Sequence, residues 1–423
     1  MILKISPIFY LSSLVFILLF LSGPVSIINL FLNLLLLAIS VRGLLQVFSS
    51  NYWNVVRANI PIIILVILFI FAYLRTIVSG LLPLNDLVVL MVKISLILFS
   101  IIGFFSMMKG DDALQLHKYI AVVITFYVFI NLFLYLIFGM QSENYSVNQG
   151  NFGLSSLMQL IGVNSPRVMF FFSPGFQSFG FVCGIGALLC IIFFFEKLEL
   201  NQFTQSLFWA TMIIVITFAM MISDCRGALF SLFISAFLFL FNRLKLISWK
   251  SLILTSTLFL ITFLFISGSL TSIVYESASS RGSDSIISGR ELIWLFGYDA
   301  LTNASIYNIL FGYGIWGSAI SGVSYNYAFI FTEWENPELA SLHNMYLQLV
   351  FDIGVIGLIV FFMALKRNTV TILNNNFYST EALAVKRKYF VIFLLIFGIF
   401  DVSALPYFLP GFIITIILLI ANK

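Results

Sequence analysis

The sequence predicts an all-α, polytopic membrane protein with about twelve transmembrane helices. Three observations predict it. The 423 residues are 61% hydrophobic and only 9% charged, which leaves too little polar surface to cover a soluble globule. Apolar runs repeat along almost the whole length, so residues 1–423 read as a single polytopic domain. Finally, Lys and Arg are divided unevenly among the segments between those runs.

Runs of about 15 to 25 mostly apolar residues, the length a helix needs to cross hydrocarbon, fall at 8–22, 26–45, 59–78, 86–107, 119–139 and 169–194. Others fall at 205–223, 227–242, 250–273, 344–364, 389–405 and 408–421. The first has no small-x-small cleavage site before Pro24, so it reads as a retained helix and not a signal peptide. Ser223-Asp224-Cys225-Arg226-Gly227 reads as a hairpin, and Asp401, Pro406 and Pro410 break the last pair of runs.

Counting Lys and Arg fixes an orientation with both termini in the cytoplasm. Fifteen of the 21 then lie inside, including Lys4, Lys197, Arg243, Lys366 and Lys386 to Lys388. Five lie outside, and Lys93 sits within a helix. The outer five are Arg75, Arg167, Arg226, Arg281 and Arg290, with no lysine among them. Planar forked donors suit phosphate oxygens better than a point charge does. The net charge of +4 is modest and carries no nucleic-acid footprint.

Two outer loops are long enough to hold a site, 140–168 and the larger 274–343. The larger opens on Ser279-Ser280-Arg281-Gly282-Ser283. It continues with an amphipathic stretch from Gly289 to Thr302, with Ile293, Leu295, Phe296 and Leu301 apolar. This reads as a short helix on the membrane surface, followed by an irregular Gly/aromatic segment from Phe311 to Gly317. The polar stretch 366–388 reads as a cytoplasmic connector.

His343 is one of two histidines and stands where the large loop re-enters the membrane. An imidazole there can act as a general base, or it can simply cap the helix that starts at Asn344. Arg290, beside Glu291, and Arg281 can bind a pyrophosphate bidentately or form ion pairs that shape the loop. Arg167 and Arg226 stand at the outer boundary, where arginines often only anchor helices. Their weight comes from convergence, since four arginines and a histidine from separate helices could enclose one anionic head group. His117, beside Lys118, reads as a solvated loop residue. Lys93, Asp352 and Asp401 are isolated charges in apolar runs, each costing about 2.5 to 3.5 kcal/mol at a helix centre, and they form no evident relay. Cys183, Cys190 and Cys225 read as structural thiols. The sequence contains no nucleotide-binding glycine loop, Asp-x-Asp pair or His/Cys metal cluster. No cofactor or metal is therefore expected, and the energy for any transfer should come from an activated, lipid-linked substrate.

Four segments resemble the bacterial O-antigen polymerase (Wzy) family, within the O-antigen polymerase and ligase superfamily. They are Pro166-Arg167-Val168 through Ser173-Pro174-Gly175, and Ser223-Asp224-Cys225-Arg226-Gly227. The third is Gly289-Arg290-Glu291-Leu292-Ile293-Trp294 with Gly312-Tyr313-Gly314, and the fourth is His343-Asn344-Met345-Tyr346-Leu347 with Gly354-Val355-Ile356-Gly357. The resemblance covers about residues 160 to 360. It implies a metal-independent glycosyltransferase at the periplasmic face of the inner membrane, moving a glycan from undecaprenyl pyrophosphate to a sugar hydroxyl with inversion. Arg167, Arg226 and Arg290 would bind the pyrophosphate, with Arg281 a peripheral candidate. His343 would orient or deprotonate the hydroxyl, supported by Asn344 and Glu291. The Arg-x10-Gly pattern of some polymerases is not met, since position 178 is Ser and position 301 is Leu. Donor and acceptor would both be lipid-linked oligosaccharides for a polymerase, whereas a ligase would use lipid A-core as acceptor. A lipid-linked glycan flippase is the third reading. A chain-length regulator stands as an open further partner.

Overall fold

The computed structural model describes residues 6–21, 23, 26–49, 53–108, 112–142, 155–159, 161–243, 290–331, 336–370 and 378–420. The helices in chain order are α1 Pro7–Phe20, α2 Ser26–Ser49, α3 Trp53–Ala58, α4 Ile60–Ser79, α5 Leu84–Met107, α6 Asp112–Phe138, α7 Ser156–Gln159 and α8 Phe176–Glu199. They continue with α9 Phe203–Ile222, α10 Arg226–Arg243, α11 Arg290–Thr302, α12 Ile306–Phe311, α13 Gly317–Ile320, α14 Met345–Val370, α15 Tyr378–Phe397 and α16 Leu409–Leu419. Among the described residues there is no strand, and an isolated bridge joins Gln141 and Phe170. Among the described residues eight helices, α2, α4, α5, α6, α8, α9, α10 and α14, are long and apolar enough to cross a membrane, and α1 and α16 are shorter apolar helices. The chain is an all-α polytopic membrane protein.

Helix α8 runs through the interior, packed on α6, α9, α10 and α15. Its glycines permit this approach. A Cβ on Gly180 would meet Cys225 and Ala228, one on Gly184 would meet Phe393, and one on Gly186 would meet Ile124. Small residues at helix contacts are how packing substitutes for a hydrophobic drive that lipid does not supply. Helix α2, by contrast, turns Ile27, Leu30, Phe31 and Leu34 outward.

Charged side chains gather at both ends of the bundle. At one end Lys386 pairs with Glu196, Arg243 pairs with Glu199, and Arg387 donates to the Ile420 carbonyl. The opposite end holds the C-terminus of α4 and the N-termini of α8, α10 and α14, with Arg75, Arg167, Arg226, Arg290 and His343.

Several boundaries depart from the sequence reading. The apolar run 169–194 becomes helical only at Phe176, because Pro174-Gly175 interrupts it. Residues 168–172 are instead a buried irregular segment, tied down by Asn131 Oδ1, which accepts the Phe172 N–H at 2.9 Å. The run 389–405 is not one span, since α15 begins at Tyr378 and ends at Phe397, leaving 398–408 as an irregular turn. His117 is not a solvated loop residue. It lies inside α6, buried, with Nδ1 2.6 Å from the Ala113 carbonyl, because α6 starts seven residues before the apolar run that signalled it. The run 250–273, Arg281 and most of 140–154 lie outside the described residues.

Helix α14 breaks at Gly354, whose φ of 75° and ψ of 179° no helix accommodates. The break leaves upstream carbonyls without intrahelical donors. The Gly/aromatic segment fills the gap, with Tyr313 N–H donating to Phe351 O at 2.6 Å and Gly314 N–H to Asp352 O at 3.1 Å. On its other side Ile315 N–H donates to Ala72 O and the Thr76 hydroxyl donates to Ile315 O, so the segment is wedged between α4 and α14. Arg75 is absorbed by this wedge. It donates to the Gly312 carbonyl and to Asn308 Oδ1, and its guanidinium lies over Tyr307.

Candidate active site

Helix α11 does not lie with its apolar stripe on a lipid surface. Ile293 and Trp294 turn into a small second core with Val323, Tyr327, Leu342, Leu347, Phe351 and Ile399. The Trp294 indole donates to Leu342 O at 3.0 Å. This core fixes the first residue of α11, Arg290, against the turn after α15, where its guanidinium donates to the Phe400 carbonyl.

His343 reaches the same turn from another direction. Asn344 caps α14, its side-chain oxygen accepting the Tyr346 and Leu347 N–H groups at 3.0 and 3.1 Å. Met345 N–H donates to Gly398 O at 2.7 Å, which docks the capped end on the turn. His343, just before the cap, is held at φ 50°, a left-handed conformation uncommon for a residue with a side chain. Its Nδ1 lies 3.6 Å from Oδ2 of Asp401, with the two side chains 16% and 8% exposed. The other Asp401 oxygen accepts the Ser403 N–H at 2.9 Å and the Ser403 hydroxyl. Burial by itself would raise the Asp401 pKa. The nearby His343 imidazole, the Arg290 charge and the Ser403 hydrogen bond outweigh it and hold the carboxyl below its ordinary value.

The α9–α10 hairpin closes the other side. Asp224, at φ 52°, is buried, and its carboxylate accepts the Leu157 N–H at 3.3 Å. Arg226, the first residue of α10, places Nε 3.5 Å from Asp224 Oδ2 and keeps its side chain 43% exposed. Gly227 abuts Phe400, so Arg226 stands beside the turn that Arg290 and His343 reach. Arg167 donates from Nε to the hairpin carbonyl of Ser223 at 3.3 Å, its guanidinium 3.8 Å above the Phe176 ring.

Arg290 and His343 thus meet on residues 400–401, Arg226 stands against the same turn, and Arg167 grips the hairpin that carries Arg226. Each residue comes from a different helix or loop. Arg281 and the Glu291 side chain lie outside the described residues. Sequence reasoning missed Asp401 as the partner of His343, although an acid in an apolar run is costly enough to require one. No group of three or more His, Cys, Asp or Glu side chains suited to a metal occurs among the described residues. What these residues can do chemically is hold an anion with planar donors next to a carboxylate-backed imidazole.

Residues 210–362 match the protein-family model described as O-antigen ligase. No curated protein matches the chain. The matched region holds Arg226, Arg290 and His343, while Arg167 and Asp401 fall outside it. The match over that region is consistent with the O-antigen polymerase and ligase superfamily.

Proposed function

We propose that this protein is an O-antigen polymerase of the inner membrane. It would join undecaprenyl-pyrophosphate-linked oligosaccharide repeat units at the periplasmic face during lipopolysaccharide synthesis. The observation that carries this reading is the meeting of Arg290, His343 and Asp401 on one turn, with Arg226 beside it. The uneven division of lysine and arginine supports placing that end outside, since translocating basic residues is disfavoured.

In this mechanism Arg226, Arg290 and Arg167 hold the donor pyrophosphate and balance the charge that grows on it as it leaves. The acceptor sugar hydroxyl attacks the anomeric carbon from the opposite face. One C–O bond to the sugar forms as the C–O bond to pyrophosphate breaks, and the anomeric configuration inverts. His343 takes the hydroxyl proton, and Asp401 orients the ring and stabilises the imidazolium. The electron pair of the broken bond departs on the lipid pyrophosphate, so the step draws its energy from the donor and calls on no metal.

A ligase, transferring the glycan to lipid A-core, is the second reading, and the matched domain is compatible with either. The polymerase is preferred because the chain is 17% aromatic with few outer charges, a style that resembles polymerases. The lipopolysaccharide ladder of a deletion strain separates them. One repeat unit on the core is expected. Lipid-linked polymer with bare core would identify a ligase, and unchanged lipopolysaccharide would overturn both.

A further inference from the structure

Asp352 is fully buried in α14, and its described partners are neutral donors. Its Oδ1 accepts from the Gly317 N–H at 3.0 Å and from the Gln348 amide at 2.9 Å, while the Tyr407 hydroxyl lies 2.7 Å from both carboxylate oxygens. The Tyr407 oxygen in turn accepts from Gln348 Nε2 at 2.8 Å and from the Trp316 N–H at 3.0 Å. That leaves its single proton for Asp352. The remaining end of Gln348, Oε1, accepts the Leu342 N–H at 2.9 Å. The amide orientation is determined by these contacts, because a flip would set its NH2 group against the Leu342 N–H and its oxygen against the carboxylate.

The four polar segments tied together here include the two that matter for the site. Leu342 precedes His343, and Tyr407 lies in the turn that carries Asp401. The 3.6 Å approach of His343 to Asp401 joins side chains from segments that share no helix. Something must set the spacing of those segments, and Gln348 spans it directly, with one end on the Leu342 backbone and the other on Tyr407.

Resting on the proposed glycosyl-transfer role of His343, we infer that Gln348, Tyr407 and Asp352 are positioning residues that hold His343 and Asp401 in register. Their hydrogen bonds run to the backbone before His343 and to one another, so they act through the segments they join. A misplacement of a reacting group by about an ångström costs on the order of 100-fold in rate.

The test is a double-mutant cycle on the purified full-length protein: wild type, Tyr407→Phe, His343→Ala and the pair. The donor is lipid-linked oligosaccharide extracted from native membranes, and the readout is released lipid pyrophosphate, quantified as phosphate after phosphatase treatment. Tyr407→Phe keeps the ring that packs edge-on against Trp316. It is expected to lower kcat by on the order of 10- to 100-fold, with the donor KM within about threefold. In the His343→Ala background it should lower the residual rate by less than about twofold, because the group it positions is gone. An equal loss in both backgrounds would mean a merely structural role, and an unchanged kcat in the wild-type background would mean no role. Either overturns the inference. Should Tyr407→Phe fail to fold, Gln348→Met enters the same cycle with the same expected outcome. Full activity in His343→Ala alone would instead overturn the general-base reading, and the cycle reports that separately.

Discussion

Nδ1 of His343 stands 3.6 Å from Oδ2 of Asp401, across a gap of two helices in the chain. An imidazole backed by a buried carboxylate is oriented and can carry the proton it takes up. Asp401→Asn keeps the shape and loses the charge, so it should reduce glycosyl transfer by about 10- to 1,000-fold with little change in donor binding. Steady-state kinetics on the purified variant checks this. A normal kcat would reduce the contact to packing.

In the proposed mechanism Arg226 and Arg290 hold the leaving group, where removing one preorganised donor costs about 100- to 1,000-fold. Arg290→Ala and Arg226→Ala should each fall in that range. Arg290→Lys should stay at least about tenfold down, because a point charge cannot replace the fork. Arg75→Ala should behave differently, loosening the wedge between α4 and α14 and lowering thermal stability more than the rate at permissive temperature. Rates and melting temperatures measured on the same preparations separate the two classes.

The depressed Asp401 pKa makes stability depend on pH with a defined sign. A carboxyl whose folded pKa lies below its unfolded value binds fewer protons when native, so it stabilises the fold above the ordinary range near ~4. That contribution is lost as pH falls through the folded value. Thermal unfolding in detergent between about pH 6 and 3 should show wild type losing more stability than Asp401→Asn. Parallel curves would contradict the assignment.

Gly354 takes φ 75°, and a Cβ there would lie 2.1 Å from the Leu310 carbonyl oxygen. Backbone cannot move aside as a flexible side chain can. Gly354→Ala should therefore cost about 2 kcal/mol or more and release the 312–314 segment. A lower melting temperature, with faster proteolysis between α12 and α14, is the expected result.

The bundle was legible because membrane crossing demands long apolar helices, and α4, α5, α9 and α10 fall within a few residues of their hydropathy runs. Boundaries failed where polar residues continue a helix past its apolar stretch. Helix α6 begins at Asp112 and carries His117 into the interior, and α15 begins at Tyr378 and buries Lys386 and Arg387. Periodicity does not register a helix whose charges are covered by neighbours such as Glu196. Arg226, Arg290 and His343 stood out as rare polar residues at one end, but their meeting on 400–401 depends on the turn after α15, which read as part of a span. Asp401 and Asp352 looked alike in the sequence, as lone acids in apolar runs. Only tertiary structure separates them, one facing an imidazole and the other a ring of neutral donors.

The central claim is that the cluster on the 400–401 turn performs the transfer. Its most direct test is complementation of a deletion strain by wild type, Arg290→Ala and His343→Ala, at equal levels in the membrane, read as the lipopolysaccharide ladder. Wild type should restore long chains, and both variants should leave the deletion pattern unchanged. A wild-type ladder from either variant would contradict the claim.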